Sequence, residues 1–299
     1  RHGVDCLRHL RGMFAFAIWD ERQRRLFFAR DRLGKKPFHF AESQEGFAFC
    51  SEIDPLARHA WTDRRLDRQA LDFFLHLQYV PAPLSIYRGI RKLPPAHYGL
   101  LDIDGLRIAP YWSLDYRGKI EMDDAEALDA FEEKLAEAVR LRMVADVPVG
   151  ALLSGGVDSS VIVALMAKQS AAPVRTFSVG FSEAAFDESA FARQAAERCG
   201  TLHHPAELGA PDISMLPTLV RRYGEPYGDS SALPSFSVCA AARQELKVVL
   251  NGDGGDELFG GYRRYSLPDA TIRLATWIRR RHPLPLIDPA KWLGSRGPF

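Results

Sequence analysis

The sequence predicts an α/β chain in two parts, with an antiparallel, β-rich region over residues 1–115 and a parallel, doubly wound sheet over 116–299. Three observations predict it. Short aromatic runs separated by tight polar turns crowd the first sixty residues, and such short links suit antiparallel neighbours. Beyond residue 120, apolar runs alternate with helix-length segments, the signature of a parallel sheet. Two of those later runs end in loops rich in glycine and acid.

The elements follow in order. Residues 12–20 and 24–31 read as strands around the turn Glu21–Gln23, and 46–52 as a third. Their aromatic residues are expected in a core. Asp67 is placed to cap a helix whose Leu71, Phe74, Leu75 and Gln78 fall at helical spacing. Residues 81–97 are proline-rich and read as an ordered loop or linker. Asp104-Gly105 between apolar runs predicts a hairpin within 98–112. The boundary between the two parts falls within 110–125.

Leu128, Phe131, Leu135, Val139 and Arg142 then mark an amphipathic helix over 123–145. Residues 147–153, 174–181 and 247–250 are strand-like, and 159–169, 188–200 and 236–246 helical, with Gly200 as a stop. The pair His203-His204 reads as a strand edge rather than a metal site. The basic run Arg279–His282 reads as a solvated helix face.

Composition excludes several classes. A hydrophobic fraction of 46% and a charged fraction of 26% are ordinary for a globular chain. A net charge of +1 gives no argument for nucleic-acid or membrane partners, and neither is expected. No apolar run has the length of a bilayer span, and the start lacks a signal-peptide pattern. Cys6, Cys50, Cys199 and Cys239 are scattered, against a zinc site and in keeping with a reducing, cytoplasmic location.

The chemistry gathers in two loops. Ser154-Gly155-Gly156-Val157-Asp158-Ser159-Ser160 joins a buried strand to a helix. A helix start carries unpaired N–H groups and partial positive charge, which suit phosphate. Glycines let the backbone approach such an anion, and the serines add hydroxyl donors. Asp158 fits beside phosphate once a magnesium ion is shared between them. The Gly-Lys-Ser/Thr ending of a Walker loop is absent, as is the glycine that precedes a nucleophile-elbow serine. A strand-to-helix turn capped by serine would use the same residue types. The second loop, within 248–265, packs Asp253, Asp256 and Glu257 among five glycines. Crowded acids repel unless a cation or substrate ammonium lies between them. A calcium loop would alternate its oxygen ligands differently.

The first loop resembles the pyrophosphate loop of the N-type ATP pyrophosphatases, which cleave ATP between the α and β phosphates. The second, Gly252-Asp253-Gly254-Gly255-Asp256-Glu257 followed by Phe259-Gly260-Gly261-Tyr262, resembles the synthetase signature of glutamine-dependent asparagine synthetases. Residues 10–20, 30–40, 79–98 and 224–236 resemble, in order, that family's glutaminase domain, interdomain segment and synthetase domain.

The resemblance implies a synthetase fold of the adenine-nucleotide α-hydrolase kind, preceded by the later part of an N-terminal-nucleophile glutaminase domain. It implies ATP and Mg²⁺ as cofactors. Ser154, Gly155, Gly156, Asp158 and Ser159 would hold pyrophosphate, with Asp158 and Asp256 as magnesium ligands. Leu153 and Val179 would flank adenine, and Asn251 and Gly252 would meet the nucleotide through the backbone. Asp253 matches the acidic residue implicated in forming an acyl-adenylate. The expected reaction is amidation of a carboxylate, aspartate first, by ammonia drawn from glutamine. A homodimer is compatible with the family.

The departures bear on this reading. Asp253 stands where many members have Glu, Asn251 where Ser is commoner, and Ala96 where Gly is commoner. Cys6 is internal and lacks the free α-amino group of the family's glutaminase nucleophile, so glutaminase activity is not expected. A later Glu-x-Arg-x-Pro-Phe-Leu-Asp motif and a pyrophosphate-contacting Lys are not found. The sequence therefore reads as a fragment cut at both ends. Two rivals stand beside the main reading: the same chemistry on another carboxylate, as in β-lactam ring closure, and a non-catalytic module that only binds nucleotide.

Overall fold

The computed structural model describes residues 2–181, 187–208, 213–262, 265 and 277. The basic run Arg279–His282 lies outside them. The described residues divide into two compact units, one made of those up to Lys119 with Ser214–Ser230, the other of Ile120–Ile213 and the described residues from Ser231 on.

The first unit opens with a short helix α1 (Cys6–His9). Strands β1 (Ala15–Asp20) and β2 (Arg25–Arg30) pair antiparallel, followed by β3 (His39–Ser43) and β4 (Gly46–Cys50). Helices α2 (Ile53–Ala57) and α3 (Arg68–Leu77) precede β5 (Arg91–Lys92), β6 (His97–Asp102) and β7 (Gly105–Pro110). Two antiparallel sheets result, in the orders β1-β2-β6-β7 and β4-β3-β5. Phe28 of β2 and Phe40 of β3 are fully buried with Phe38 and Leu93. The Phe28 ring stacks on Phe38 with centroids 5.0 Å apart. Its cross-strand partner is Gly99, where a Cβ would strike the ring.

The aromatic strands are therefore core on one face only. Ile18 and Trp19 are more than half exposed. Three sequence expectations are corrected here. Asp67 does cap α3, accepting from Gln69 N at 2.8 Å and Ala70 N at 3.2 Å. Its buried face, however, carries Ala70 and Phe73, while Leu75 is 70% exposed. Gln78 stands outside the helix as its left-handed C-cap, with φ 66°. The hairpin turn is Ile103-Asp104, since Asp102 pairs with Gly105, whose φ of 105° then serves the start of β7.

The loop after β2 turns on Asp31, a buried carboxylate that accepts from the backbone N–H groups of Phe14, Leu33, Lys35 and Lys36. Arg30 donates beside it to three carbonyls, those of Gly34, Lys36 and Leu93. Such charge-assisted bonds are the stronger kind, and here they hold an irregular loop without a regular ladder.

In the second unit, α4 (Asp124–Arg142) starts with a capping box between Asp123 and Glu126. Then come β8 (Val149–Leu152), α5 (Val157–Gln169), β9 (Arg175–Phe181), α6 (Ser189–Cys199) and β10 (Leu202–Leu208). The chain next supplies Ser214–Ser230, with α7 (Leu216–Tyr223), to the first unit. Glu225 there forms an ion pair with Lys92, Ile86 N donates to Glu225 Oε2 at 3.3 Å, and Gly228 N donates to Gln78 O at 2.8 Å. Helix α8 (Ala232–Arg243), β11 (Val248–Leu250) and the one-turn α9 (Gly255–Phe259) complete the second unit.

Its sheet is parallel, in the order β10-β9-β8-β11. Side chains alternate across it. Ala151 and Leu153 face a core with Val139, Val163, Met166 and Ala192, from α4, α5 and α6. Leu152, Val179 and Val249 face Phe177 and the α8 residues Val238 and Ala242. Helices cover both faces, as the alternation in the sequence predicts.

Candidate active site

The order of the parallel strands locates the site. The chain steps from β8 through β9 to β10, then places β11 on the other side of β8. Ligands in open parallel sheets bind beyond the carboxyl ends of strands at such a reversal. The two loops singled out in the sequence leave the carboxyl ends of β8 and β11, which pair from Val149↔Val248 to Ala151↔Leu250.

The first loop turns sharply at Gly155, whose φ is 88°. A Cβ there would also stand 2.6 Å from the Phe191 carbonyl carbon, so α6 packs on bare backbone. Gly156 is the N-cap of α5, with φ −66°, and is exposed. It supplies no capping side chain. Ser154 Oγ instead accepts from Gly156 N at 3.3 Å, and Ser159 Oγ donates to Gly156 O at 3.2 Å. The two hydroxyls lie 3.0 Å apart and close the ring. Val157 is 79% exposed, so the bend opens to solvent.

Helix α5 runs for thirteen residues, and its first N–H groups have no intrahelical acceptor. An anion at this end is favoured by those donors and by the helix dipole, by about 0.3–1 kcal/mol for the dipole alone.

The second loop folds onto the first. A Cβ at Gly252 would meet Ser159 N at 2.6 Å, and one at Gly255 would land on the Asp158 carboxylate. Asn251 Nδ2 donates to Asp253 Oδ2 at 2.6 Å, and both residues are exposed. Gly255 N donates to Gly252 O at 3.3 Å, and Gly261 N to Asp256 O at 3.1 Å. Phe259 of α9 is held edge-on to Phe131 of α4, with centroids 5.0 Å apart. Tyr262 donates to Glu257 Oε1 at 2.9 Å.

The sequence-predicted residues thus separate into groups. Ser154, Gly156 and Ser159 are hydrogen-bonded to one another, and Asp158 and Ser159 meet Gly252 and Gly255 of the second loop, whereas Asp253 is bonded to Asn251 and the Asp256 carboxylate lies against Gly261. Leu153 is 1% exposed, and its side chain belongs to the core. Only its backbone is available to a ligand, and Leu153 N already donates to Phe177 O at 2.8 Å. Val179 packs on the α8 side of the sheet. Ser159 is 7% exposed and its hydroxyl serves the loop itself.

Asp158 and Asp256 are the acids of the two loops that the sequence offers to a magnesium ion; the Asp158 carboxylate lies against Gly255 and that of Asp256 against Gly261. Among the described residues, no group of three or more His, Cys, Asp or Glu is placed to hold a metal ion.

His203 and His204 lie on β10, the edge strand of the sheet among the described residues, and point to opposite faces as neighbours in a strand must. His203 meets the buried Thr176 Oγ1 at 3.0 Å and Ser178 Oγ at 3.2 Å. Burial first, then the charges of His204 and Arg193, draw its pKa below the usual histidine value. His204 stacks on Phe177 and approaches Glu245 at 3.1 Å. The strand-edge reading of this pair agrees with the structure.

Fold and loops together define an α/β protein with an anion-suited, acid-bearing site at a strand-order reversal. Comparison with known families narrows this. The profile of asparagine synthase matches residues 130–296, and that of the glutamine amidotransferase domain matches residues 1–112. The chain belongs to the asparagine synthase family. It is 36% identical over 267 residues to a protein of Methanocaldococcus jannaschii named "Putative asparagine synthetase 2 (glutamine-hydrolyzing)", covering 87% of this chain and 51% of that one. It is 33% identical to the glutamine-hydrolyzing asparagine synthetase 1 of Bacillus subtilis, covering 87% of this chain and 41% of that protein. The chain thus spans about half, or less, of these relatives. A solved glutamine-dependent NAD+ synthetase from Acinetobacter baumannii aligns over 92% of this chain and 69% of its own, at 14% identity and a TM-score of 0.32. No helix among the described residues is long and apolar enough to cross a membrane.

Proposed function

We propose that this chain carries the ATP-splitting half of an ammonia-dependent ligase that activates a carboxylate, with aspartate the acceptor the family favours. One observation carries the reading: two glycine- and acid-rich loops leave neighbouring parallel strands at the reversal of strand order and interlock at Asp158.

A carboxylate oxygen attacks the α-phosphorus of ATP, the bond between the α- and β-phosphates breaks, and pyrophosphate departs. The unpaired N–H groups at the start of α5 would receive the charge that develops on the leaving group. Asp158 and Asp256 would hold Mg²⁺, which neutralises phosphate charge when bound. Asp253 stands on the second loop, where an acyl-adenylate would form. Ammonia then attacks the acyl carbon, its nitrogen gives up a proton to solvent, and the acyl C–O bond breaks to release AMP. A homodimer and a cytoplasmic location complete the proposal; glutamine is proposed as the ammonia source at the level of the longer relatives, whose names give them as glutamine-hydrolyzing.

Exchange of labelled pyrophosphate into ATP tests it. Exchange that depends on aspartate, and disappears in Asp158→Asn with the fold intact, supports the reading. Exchange with a different carboxylate moves the acceptor and keeps the chemistry. ATP binding without exchange under any acceptor would replace the enzyme by a nucleotide-binding module.

A further inference from the structure

Three glycines of the second loop are glycine for two different reasons. Gly254 has φ 102°, and a Cβ there would meet nothing within 4 Å. Its backbone conformation demands glycine, not its surroundings. Gly252 and Gly255 are not among the positive-φ residues, so the turn does not demand glycine at either. What excludes a side chain is Asp158. At Gly252 a Cβ would lie 2.6 Å from Ser159 N and 2.9 Å from both the Asp158 carbonyl carbon and its Cβ. At Gly255 its three nearest atoms would be Cγ, Oδ1 and Oδ2 of Asp158.

We infer that Gly255 is a positioning residue: its bare Cα fixes where the Asp158 carboxylate stands, so the second loop sets the geometry of the first. The inference rests on the proposed role of Asp158 beside pyrophosphate. The two glycines act differently because they face different atoms. A methyl at 252 meets backbone, which can yield only if the strand-to-helix bend moves. A methyl at 255 meets the end of a short side chain, which can turn to another rotamer while the backbone stays. Gly255→Ala therefore displaces the carboxylate and spares the fold.

Gly255→Ala in the full chain tests this with three readouts. Its melting temperature stays within about 4 °C of the parent, the shift that a small change in stability produces. The ¹³C resonance of the Asp158 side-chain carboxyl, identified by its loss in Asp158→Asn, moves. The Mg²⁺ concentration for half-maximal pyrophosphate release rises about tenfold or more, as when a residue orienting a metal ligand is lost. In an Asp158→Asn background, Gly255→Ala adds no further loss of magnesium-dependent nucleotide binding, because coupled sites are not additive. Should Gly255→Ala unfold, Asp158→Ala/Gly255→Ala removes the obstacle and restores folding.

An unmoved Asp158 resonance overturns the inference. So does a loss that adds fully to that of Asp158→Asn, or a double variant that stays unfolded. If the parent releases no pyrophosphate, the proposed reaction fails, while the carboxyl resonance and the folding of the double variant still decide the role of Gly255.

Discussion

Alanine at Gly155 and alanine at Gly156 should differ several-fold in cost, although the residues adjoin. Gly155 has φ 88°, a left-handed conformation that costs an L-residue about 1–2 kcal/mol. A Cβ there would stand 2.6 Å from both the carbonyl carbon and the Cβ of Phe191, with the Ala192 amide also in its way. Backbone of α6 must move, and forced repacking of this kind costs about 1–3 kcal/mol. The expected loss for Gly155→Ala is therefore about 2–5 kcal/mol. Gly156 has φ −66°, and a Cβ there would approach only Ser154 Oγ, at 3.4 Å. Its cost is that of a poorer N-cap, below about 1 kcal/mol. Urea unfolding followed by circular dichroism measures both. Gly156 is exposed and stands in the proposed pyrophosphate loop, so on that proposal Gly156→Ala should weaken ATP binding more than it weakens the fold. Equal destabilisation by the two variants, or a loss below about 1 kcal/mol for Gly155→Ala, would refute the reasoning.

His39 supplies a pH dependence. Burial, then the charges of Lys92 and Arg30, pull its pKa down to about 4, although a bond with Ser51 O opposes them. The unfolded chain takes up a proton near pH 6.5 that the folded chain refuses, so stability is full above that pH. It falls as pH drops toward 4, by about 3 kcal/mol at most. His39→Gln should flatten this stretch of the stability profile, and an unchanged slope would exclude His39 as its source. The Lys92–Glu225 pair offers a second check. Both side chains are less than 15% exposed, with the ammonium also donating to Val80 O at 2.6 Å. Burial pushes the Lys92 pKa down and that of Glu225 up, with the partner's charge opposing each. Lys92→Met or Glu225→Gln alone should cost about 3–5 kcal/mol, and the double variant less than the sum. Additive losses in denaturant titrations would show that the two side chains are uncoupled.

Much of the second unit was legible because local signals agreed with one another. The apolar run before Ser154, the glycines after it and the helical spacing beyond it place β8, the loop and α5 without tertiary information. Asp67 and Gly200 act as helix boundaries through their own side chain or backbone freedom, so they too could be read. What failed depends on neighbours distant in sequence. Leu71 and Leu75 fit a helical stripe, yet Ala70 and Phe73 are the side chains that tertiary packing buries. β3 was missed because Glu42 and Ser43 interrupt its apolar pattern, while its pairing with β4 and β5 holds it in place. The role of Asp31 rests on four amides converging from loops on either side. Membership of Ser214–Ser230 in the first unit could not be read from chain order, since its partners are Lys92, Ile86 and Gln78.

Within the site, residue types told which loops matter but not how each residue serves. Leu153, at the end of an apolar run, could have faced a ligand or the core, and the pleat sends it to the core. Ser154 and Ser159 look alike in the sequence, but one is exposed and the other buried. The glycines at 252 and 255 resemble turn residues until the Asp158 side chain is seen against them.

The most direct test of the account identifies the nucleotide product. The chain, ATP, Mg²⁺, aspartate and ammonia are incubated and followed by ³¹P NMR. Cleavage at the loop after β8 yields AMP with inorganic pyrophosphate, and Asp158→Asn yields neither. ADP with orthophosphate as the products would contradict it.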